Sequence, residues 1–121
     1  MIAQNPDLNG IYVSWDVAAE PVLAEIRSAG KKDLKLVTID LGGNNDLDMA
    51  QKGNVYGKSA DMPFQIGGTM AKLAALSILG EKTPAYVVSN VVKMTRDNIV
   101  ESYKTSLNKD PDQVILDALK K

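Results

Sequence analysis

Short β-branched and apolar runs alternate with helical patterns along this chain, and that alternation limits the possible folds more than any other feature. Residues 10–15 and 35–39 have the pattern of buried strands bounded by turn residues, and residues 54–60 form a third, more polar strand pattern. Parallel neighbours in a sheet need long crossover connections, which are usually helices. The pattern therefore predicts an α/β fold in which a parallel sheet of about four strands is flanked by helices.

The helices are predicted from apolar spacing and from signals at their ends. The first follows Asp16, a candidate cap, and stops at Gly30, which suits a left-handed residue. The longest pattern begins at Pro63 and ends at Gly80, with apolar residues every three or four positions. The other expected elements are a short helix over 46–52 closed by Gly53, a strand within 86–92, a helix capped by Thr95 that runs to about Leu107, and a last helix over 111–119.

A single core is expected, because 121 residues with 45% hydrophobic and 24% charged side chains match an average globular domain. The 14 Lys and Arg residues against 15 Asp and Glu leave a net charge of −1, so the charge does not favour nucleic acid as a partner. The chain has no His and no Cys, which removes the commonest general base, the commonest zinc ligands and every thiol. We expect no catalysis and no cofactor. The first residues also lack the basic and apolar regions of a signal peptide.

Two motif-like stretches have the wrong spacing for the sites they suggest. Residues 53–59 contain the glycines and the Lys-Ser pair of a phosphate-binding loop, but one residue too few lies between the glycines. Pro63 follows where that motif needs a helix, so a strand preceded by a turn is the better interpretation. Residues 40–48 are rich in acids and amides without the spacing of a calcium loop. There we expect Asn44 or Asn45 to cap the short helix.

Three carboxylates and the only tryptophan follow the ends of predicted strands. Trp15 and Asp16 come after the first strand, Asp40 after the second and Asp61 after the third. In a parallel sheet these ends share one edge, and ligands of open α/β folds bind in the crevice outside it. Carboxylates pair with hydroxyl groups and an indole offers an apolar face to sugar C–H groups, so the set suits a neutral polyhydroxy ligand. Structural alternatives are a helix cap for Asp16, a core position for Trp15, and caps or turns for the other two.

Six segments, in order and at matching spacing, resemble the C-terminal part of the type I periplasmic binding proteins, and the ribose-binding-like branch most closely. They are residues 5–16, 27–30, 36–40, 60–67, 79–82 and 92–98. The resemblance implies the substrate-binding component of an ABC importer. Such a component binds a neutral sugar or sugar alcohol, works with the membrane subunits of the importer, and is periplasmic in its parent protein.

The resemblance also implies that Trp15, Asp40 and Asp61 are ligand-binding residues. Asp40 matches the aspartate with which the family binds sugar hydroxyls. Trp15 stands where the family usually has Asn, so a stacking group replaces an amide. Asp61 stands where ribose-type members often have Gln, so an acceptor-only carboxylate replaces another amide. These departures point to a neutral sugar or polyol other than ribose.

By the same resemblance, the single α/β unit of residues 1–121 contains pieces of two lobes. Residues 1–61 and 93–121 resemble part of the C-terminal lobe, and residues 63–92 resemble the segment that returns to the N-terminal lobe. The chain is then expected to be a fragment with an internal start, which binds sugar weakly because it carries half of the cleft. Its apolar faces would either share one sheet or be covered in a homodimer through exchanged or exposed segments.

Two other functions stay open at this point. The effector-binding domain of a lactose-repressor-type transcription regulator is similar in fold, and a helix-turn-helix upstream would favour it. A small enzyme that uses Asp40 and Asp61 as an acid–base pair would need their pKa values pushed apart.

Overall fold

The computed structural model describes residues 2–121, which form one sheet of four strands. The strands are β1 (Gly10–Tyr12), β2 (Lys35–Ile39), β3 (Val55–Ala60) and β4 (Val92–Met94), in that spatial order. β1, β2 and β3 are parallel, and β4 runs antiparallel to β3. The predicted α/β fold is confirmed, but its fourth strand differs in position and direction from the expected one.

The path of the chain explains the direction of β4. The strand expected within 86–92 is reduced to Val92–Met94, and residues 84–91 form neither helix nor strand. Val92 pairs with Ala60, the last residue of β3. The chain therefore re-enters the sheet at the edge from which it left, and a strand that starts there has to run back along β3.

The described residues form five α-helices around this sheet. They are α1 (Asp16–Ser28), α2 (Gly43–Ala50), α3 (Pro63–Ile78), α4 (Ile99–Leu107) and α5 (Gln113–Leu119). Gly30 and Gly80 have left-handed φ values of 65° and 75°, as predicted for the residues that end α1 and α3. A short 3₁₀ turn precedes α4, and the side chain of Asn98 in that turn accepts the N–H of Thr95 at 2.8 Å, so the predicted start at Thr95 is confirmed.

α2 begins earlier than predicted, and the predicted cap is wrong. Its first residue is Gly43, and Gly42 occupies the N-cap position instead of Asn44 or Asn45. Asn45 is buried inside α2, and its amide donates to the main-chain carbonyl of Asp16 at 2.8 Å. The side chain thus joins α2 to α1 rather than capping its own helix.

The end of α2 also differs from the prediction. Lys52, with φ of 59°, takes the left-handed conformation expected at Gly53. Gly53 is needed for another reason: a Cβ at this position would collide with the carboxylate of Asp48. That carboxylate accepts the N–H of Val55 at 2.7 Å and pairs with Arg27 at 2.6 Å, so it ties α2 to β3 and α1.

The core lies on one face of the sheet and leaves α3 outside. Along β2, Leu36 and Thr38 are buried while Val37 between them is exposed, as expected when helices cover a single face. No core residue of the described chain falls within 61–93, and none of the residues of α3 is buried. The core thus belongs to residues 2–60 and 94–118. The division of the chain into pieces of two lobes stays a prediction.

Candidate functional site

The carboxyl ends of the three parallel strands lie at one edge of the sheet, and the predicted site residues follow them. Asp40 is the first residue after β2, and Asp61 is the first after β3. Trp15 follows β1 by three residues and occupies the N-cap position of α1. Trp15 is 50% exposed, so the alternative prediction that places it in the core is wrong.

Asp40 ends β2 through its backbone conformation. Its φ of 65° lies in the left-handed region, which costs an L-residue about 1–2 kcal/mol but is more readily adopted by Asp and Asn. The N–H of Asp40 donates to the carbonyl of Ser59 at 3.0 Å, which holds this turn against β3. Residues kept in such conformations cluster at functional sites.

The carboxyl group of Asp40 has a raised pKa. Burial is the largest cause, repulsion from Asp61 comes next and repulsion from Asp16 follows, while the positive charge of Lys58 opposes the shift. Asp61 and Asp16 are therefore close enough to Asp40 to disfavour its ionised form. The negative charge of this edge suits a ligand that donates hydroxyl hydrogen bonds. The same charge repels a phosphate.

Asp16 belongs to this carboxylate group, and the cap alternative for it is wrong. It is the first residue of α1 rather than the N-cap, and its Oδ1 accepts the N–H of Val17 at 2.8 Å. The carboxylate fills the space beside Gly42, where a Cβ would collide with it. Gly42 therefore lets the loop after β2 pass close to Asp16.

Asp61 is held through its main chain. The hydroxyl of Ser106 in α4 donates to the carbonyl of Asp61, so the end of β3 is fixed to a buried helix position. Within residues 2–121, the carboxylates of Asp40 and Asp61 have no hydrogen-bond or ion-pair partner. Both carboxylates are thus left available to a ligand.

A buried ion pair lies next to the candidate site and is not predictable from the sequence. Lys58 in β3 pairs with Asp46 in α2 at 2.6 Å, and the exposed fraction of both side chains is zero. The other carboxylate oxygen of Asp46 accepts the hydroxyl of Tyr103 in α4 at 2.6 Å. Burial, followed by this hydrogen bond, raises the pKa of Tyr103. The only signal in the sequence was a lysine within a strand pattern, which does not name its partner.

The position of Lys58 also explains the stretch that resembles a phosphate-binding loop. Residues 53–59 contain most of β3 and a turn before it, as predicted, and the lysine that suggested phosphate binding is paired with Asp46 inside the protein. Among the described residues, no group of three or more His, Cys, Asp or Glu is arranged to hold a metal ion. No helix within residues 2–121 is long and apolar enough to cross a membrane.

Comparisons with known proteins identify the fold through structure rather than sequence. No protein-family model matches the chain, and no curated protein matches it. Among solved structures, the chain is similar to a solute-binding protein of an ABC transporter from Agrobacterium vitis bound with α-D-tagatopyranose, with a TM-score of 0.78 and 20% identity over 86% of this chain and 36% of the other. It is also similar to a 5-methylthioribose transporter solute-binding protein from Thermotoga lettingae, with a TM-score of 0.70 and 24% identity over 99% and 38%.

A third similar structure is a glucose–galactose binding protein from Geobacillus stearothermophilus, with a TM-score of 0.73 and 16% identity over 81% of this chain and 35% of the other. The chain therefore has part of the type I periplasmic binding fold. Its structural neighbours are solute-binding proteins of ABC sugar transporters, and the chain spans little more than a third of their length. The fold expected from the resemblance is thus confirmed.

Proposed function

We propose that this chain is part of the sugar-binding component of an ABC importer and contributes one side of its ligand site. The ligand is a neutral sugar or sugar alcohol, and Trp15, Asp40 and Asp61 are its contacts. The protein binds and releases the ligand without changing it, delivers it to the membrane subunits of the importer, and works in the periplasm. No cofactor takes part.

One observation carries the proposal: unpartnered carboxylates and an exposed indole sit at the carboxyl edge of the sheet of a fold used by sugar-binding proteins. Asp40 and Asp61 repel each other, which a ligand with several hydroxyl donors relieves by hydrogen bonding to both. Trp15, at 50% exposure, keeps part of its ring open to the C–H face of a sugar. Structural neighbours hold neutral ligands of this kind, namely tagatopyranose, D-fucose and allitol.

The affinity of the 121-residue chain is expected to be low. Its carboxyl edge is open, so water competes for each hydrogen bond and weakens it. We expect a Kd of about 1 mM, which corresponds to about −4 kcal/mol.

Trp15 fluorescence tests the proposal, because Trp15 is the only tryptophan in the chain. D-fucose, D-tagatose, D-glucose and allitol are titrated, with glucose 6-phosphate as the negative control, since the carboxylate edge repels a phosphate. We expect a saturable change with at least one neutral ligand and none with the phosphate. Asp40→Asn and Asp61→Asn should each weaken binding, whereas Asp33→Asn, in the loop before β2, should leave it unchanged.

Failure of all neutral ligands to change the fluorescence of the folded chain would contradict the proposal, as would equal loss of binding in the Asp33 control. The similar structures reported above are transport proteins, which favours an importer component over the effector domain of a transcription regulator. The same structures are binding proteins of transporters, so they lend the acid–base alternative no support. Recovery of unchanged sugar after incubation with the chain would agree with a binding role.

A further inference from the structure

Two serines of α4 are both fully buried and differ in what their hydroxyl groups do. Ser102 and Ser106 lie one turn apart, and neither residue has exposed area. The hydroxyl of Ser106 donates to the main-chain carbonyl of Asp61, 45 positions earlier in the chain. The hydroxyl of Ser102 has no hydrogen-bond partner among the described residues. The pair therefore separates the effect of a buried hydroxyl from the effect of its bond to Asp61.

The bond that Ser106 makes is unusual for a serine inside a helix. A helical serine commonly bonds a carbonyl of its own preceding turn, and alanine is the better helix former where the hydroxyl has no task. Here the hydroxyl reaches out of the helix to the first residue after β3. Ser106 is thus placed to hold the end of β3 rather than to support α4.

Asp61 needs such an anchor because the chain leaves the core at this residue. Ala60, the last residue of β3, is fully buried, and no core residue of the described chain falls within 61–93. Outside the strand pairing and the helices, no other hydrogen bond reaches Asp61 within the part of the chain that the structure describes. Asp40 differs, since its own N–H donates to the carbonyl of Ser59.

The bond from Ser106 also decides where the Asp61 carboxylate lies. The carbonyl of Asp61 belongs to the peptide plane between Asp61 and Met62, and Pro63 restricts the backbone of Met62. Because β3 holds the preceding side, the orientation of this plane sets the direction of the Asp61 side chain. Residues of this chain already bury Ser106, so no further polypeptide can reach its hydroxyl.

We propose that Ser106 is a positioning residue of the ligand site, which holds Asp61 so that its carboxylate meets the same ligand as the Asp40 carboxylate. Ser106 does not touch the ligand. A loosened contact has to be ordered again as the ligand binds, so removal of its support lowers the affinity. The proposal rests on the proposed sugar site, but one of its readouts needs no sugar.

Ser106→Ala and Ser102→Ala form a matched pair, because each removes a buried hydroxyl from the same helix. In Trp15 fluorescence titrations with D-fucose and D-tagatose, Ser106→Ala should raise the Kd about 3- to 10-fold, the range set by one hydrogen bond. Ser102→Ala should leave the Kd unchanged. Circular dichroism checks that both variants are folded. Equal effects of the two changes, or no effect of Ser106→Ala, would overturn the proposal.

A double-mutant cycle tests whether Ser106 acts through Asp61. In an Asp61→Ala background the carboxylate is gone, so Ser106→Ala should not raise the Kd further. In an Asp40→Asn background it should still raise the Kd about 3- to 10-fold. A full effect in the Asp61→Ala background would refute the assignment, since loss of the hydroxyl would then loosen the whole edge.

The pKa of Asp40 is the readout that needs no sugar. Burial is the largest cause of its raised pKa and repulsion from Asp61 is the next, while the other charged groups that act on it are Asp16 and Lys58. Of these groups, only Asp61 is held by Ser106. A ¹³C NMR titration of the Asp40 carboxyl carbon should therefore give a lower pKa in Ser106→Ala than in the unmutated chain, and no change in the matched control.

The two readouts separate failure of this proposal from failure of the proposed function. An unchanged pKa of Asp40 in Ser106→Ala would overturn the positioning role, whether or not a sugar binds. A lowered pKa in a chain that binds no neutral sugar would support the hold of Ser106 on Asp61 and contradict the proposed function alone.

Discussion

Replacement of Lys58 by Met should destabilise the chain more than removal of any other lysine that forms an ion pair in the described residues. Lys58 and Asp46 are both without exposed side-chain area and 2.6 Å apart, so the change leaves an ionised carboxylate in the core with only the Tyr103 hydroxyl as partner. Breaking a buried pair from one side costs about 3–5 kcal/mol. For a domain of this size the total free energy of unfolding is about 6–18 kcal/mol, so the loss is a large fraction of it.

Urea unfolding, followed by the fluorescence of Trp15 and by circular dichroism, measures this loss. With a slope of about 2 kcal/mol per molar urea, the midpoint should fall by about 2 M. The control is Lys104→Met, which breaks an exposed pair with Asp110 at 3.3 Å. Exposed pairs contribute about 0.2–1 kcal/mol, so its midpoint should barely move.

A variant in which Lys58, Asp46 and Tyr103 become Met, Leu and Phe should recover most of the stability, because an apolar replacement of a complete buried pair is often neutral. Lys58→Met should also raise the pKa of Asp40 further, since the positive charge of Lys58 lowers it. The reasoning is refuted if Lys58→Met costs no more than Lys104→Met, which would mean that Asp46 finds water or relaxes when its partner is gone.

Three further changes test other parts of the structure by the same unfolding assay. Gly53→Ala should cost about 1–3 kcal/mol, because its Cβ would collide with the Asp48 carboxylate; Gly68→Ala, at an open position inside α3, should instead stabilise the chain by about 0.4–1 kcal/mol, and equal effects would contradict the account. Asn54→Ala should cost about 1–3 kcal/mol, because the Asn54 amide donates to three main-chain carbonyls; a neutral result would show that water replaces it. Asp40→Asn should stabilise the chain by about 0.2–1 kcal/mol at neutral pH, since a raised folded-state pKa means that the ionised group opposes folding. That gain should vanish as the pH falls through the folded pKa and the wild-type carboxyl is protonated; a gain that persists in acid would contradict the electrostatic cause.

The edge that carries the candidate site was predictable because it depends on local signals. Strand patterns that end just before Asp40 and Asp61 are readable from side-chain type, and parallel pairing then brings both residues to one edge. The left-handed φ of Asp40 was not readable, since Asp tolerates several conformations. The partner of Lys58 was also hidden, because Asp46 lies 12 positions away in α2 and faces Lys58 only after α2 has packed on β3. The contact of Asp46 with Tyr103 spans 57 positions and needs α4 as well.

α3 illustrates the opposite case, a well-predicted element with an unexpected environment. Pro63 and Gly80 mark its ends in the sequence, and both ends are confirmed. Its apolar spacing indicates that something should cover it, but spacing alone does not say whether the cover lies in the same chain. The direction of β4 depends on the path of residues 61–91 outside the sheet, because Val92 enters the sheet where Ala60 leaves it.

Amide NMR shifts during a sugar titration test directly whether the carboxyl edge binds a neutral sugar, as proposed. The ¹⁵N-labelled chain is titrated with D-fucose and D-tagatose, and the signals of Trp15, Asp40 and Asp61 are followed together with those of α5 as an internal reference. The account predicts saturable shifts that centre on the three residues and leave α5 unchanged. Shifts centred elsewhere, or no saturable shift in a folded chain at sugar concentrations well above the expected Kd, would contradict it.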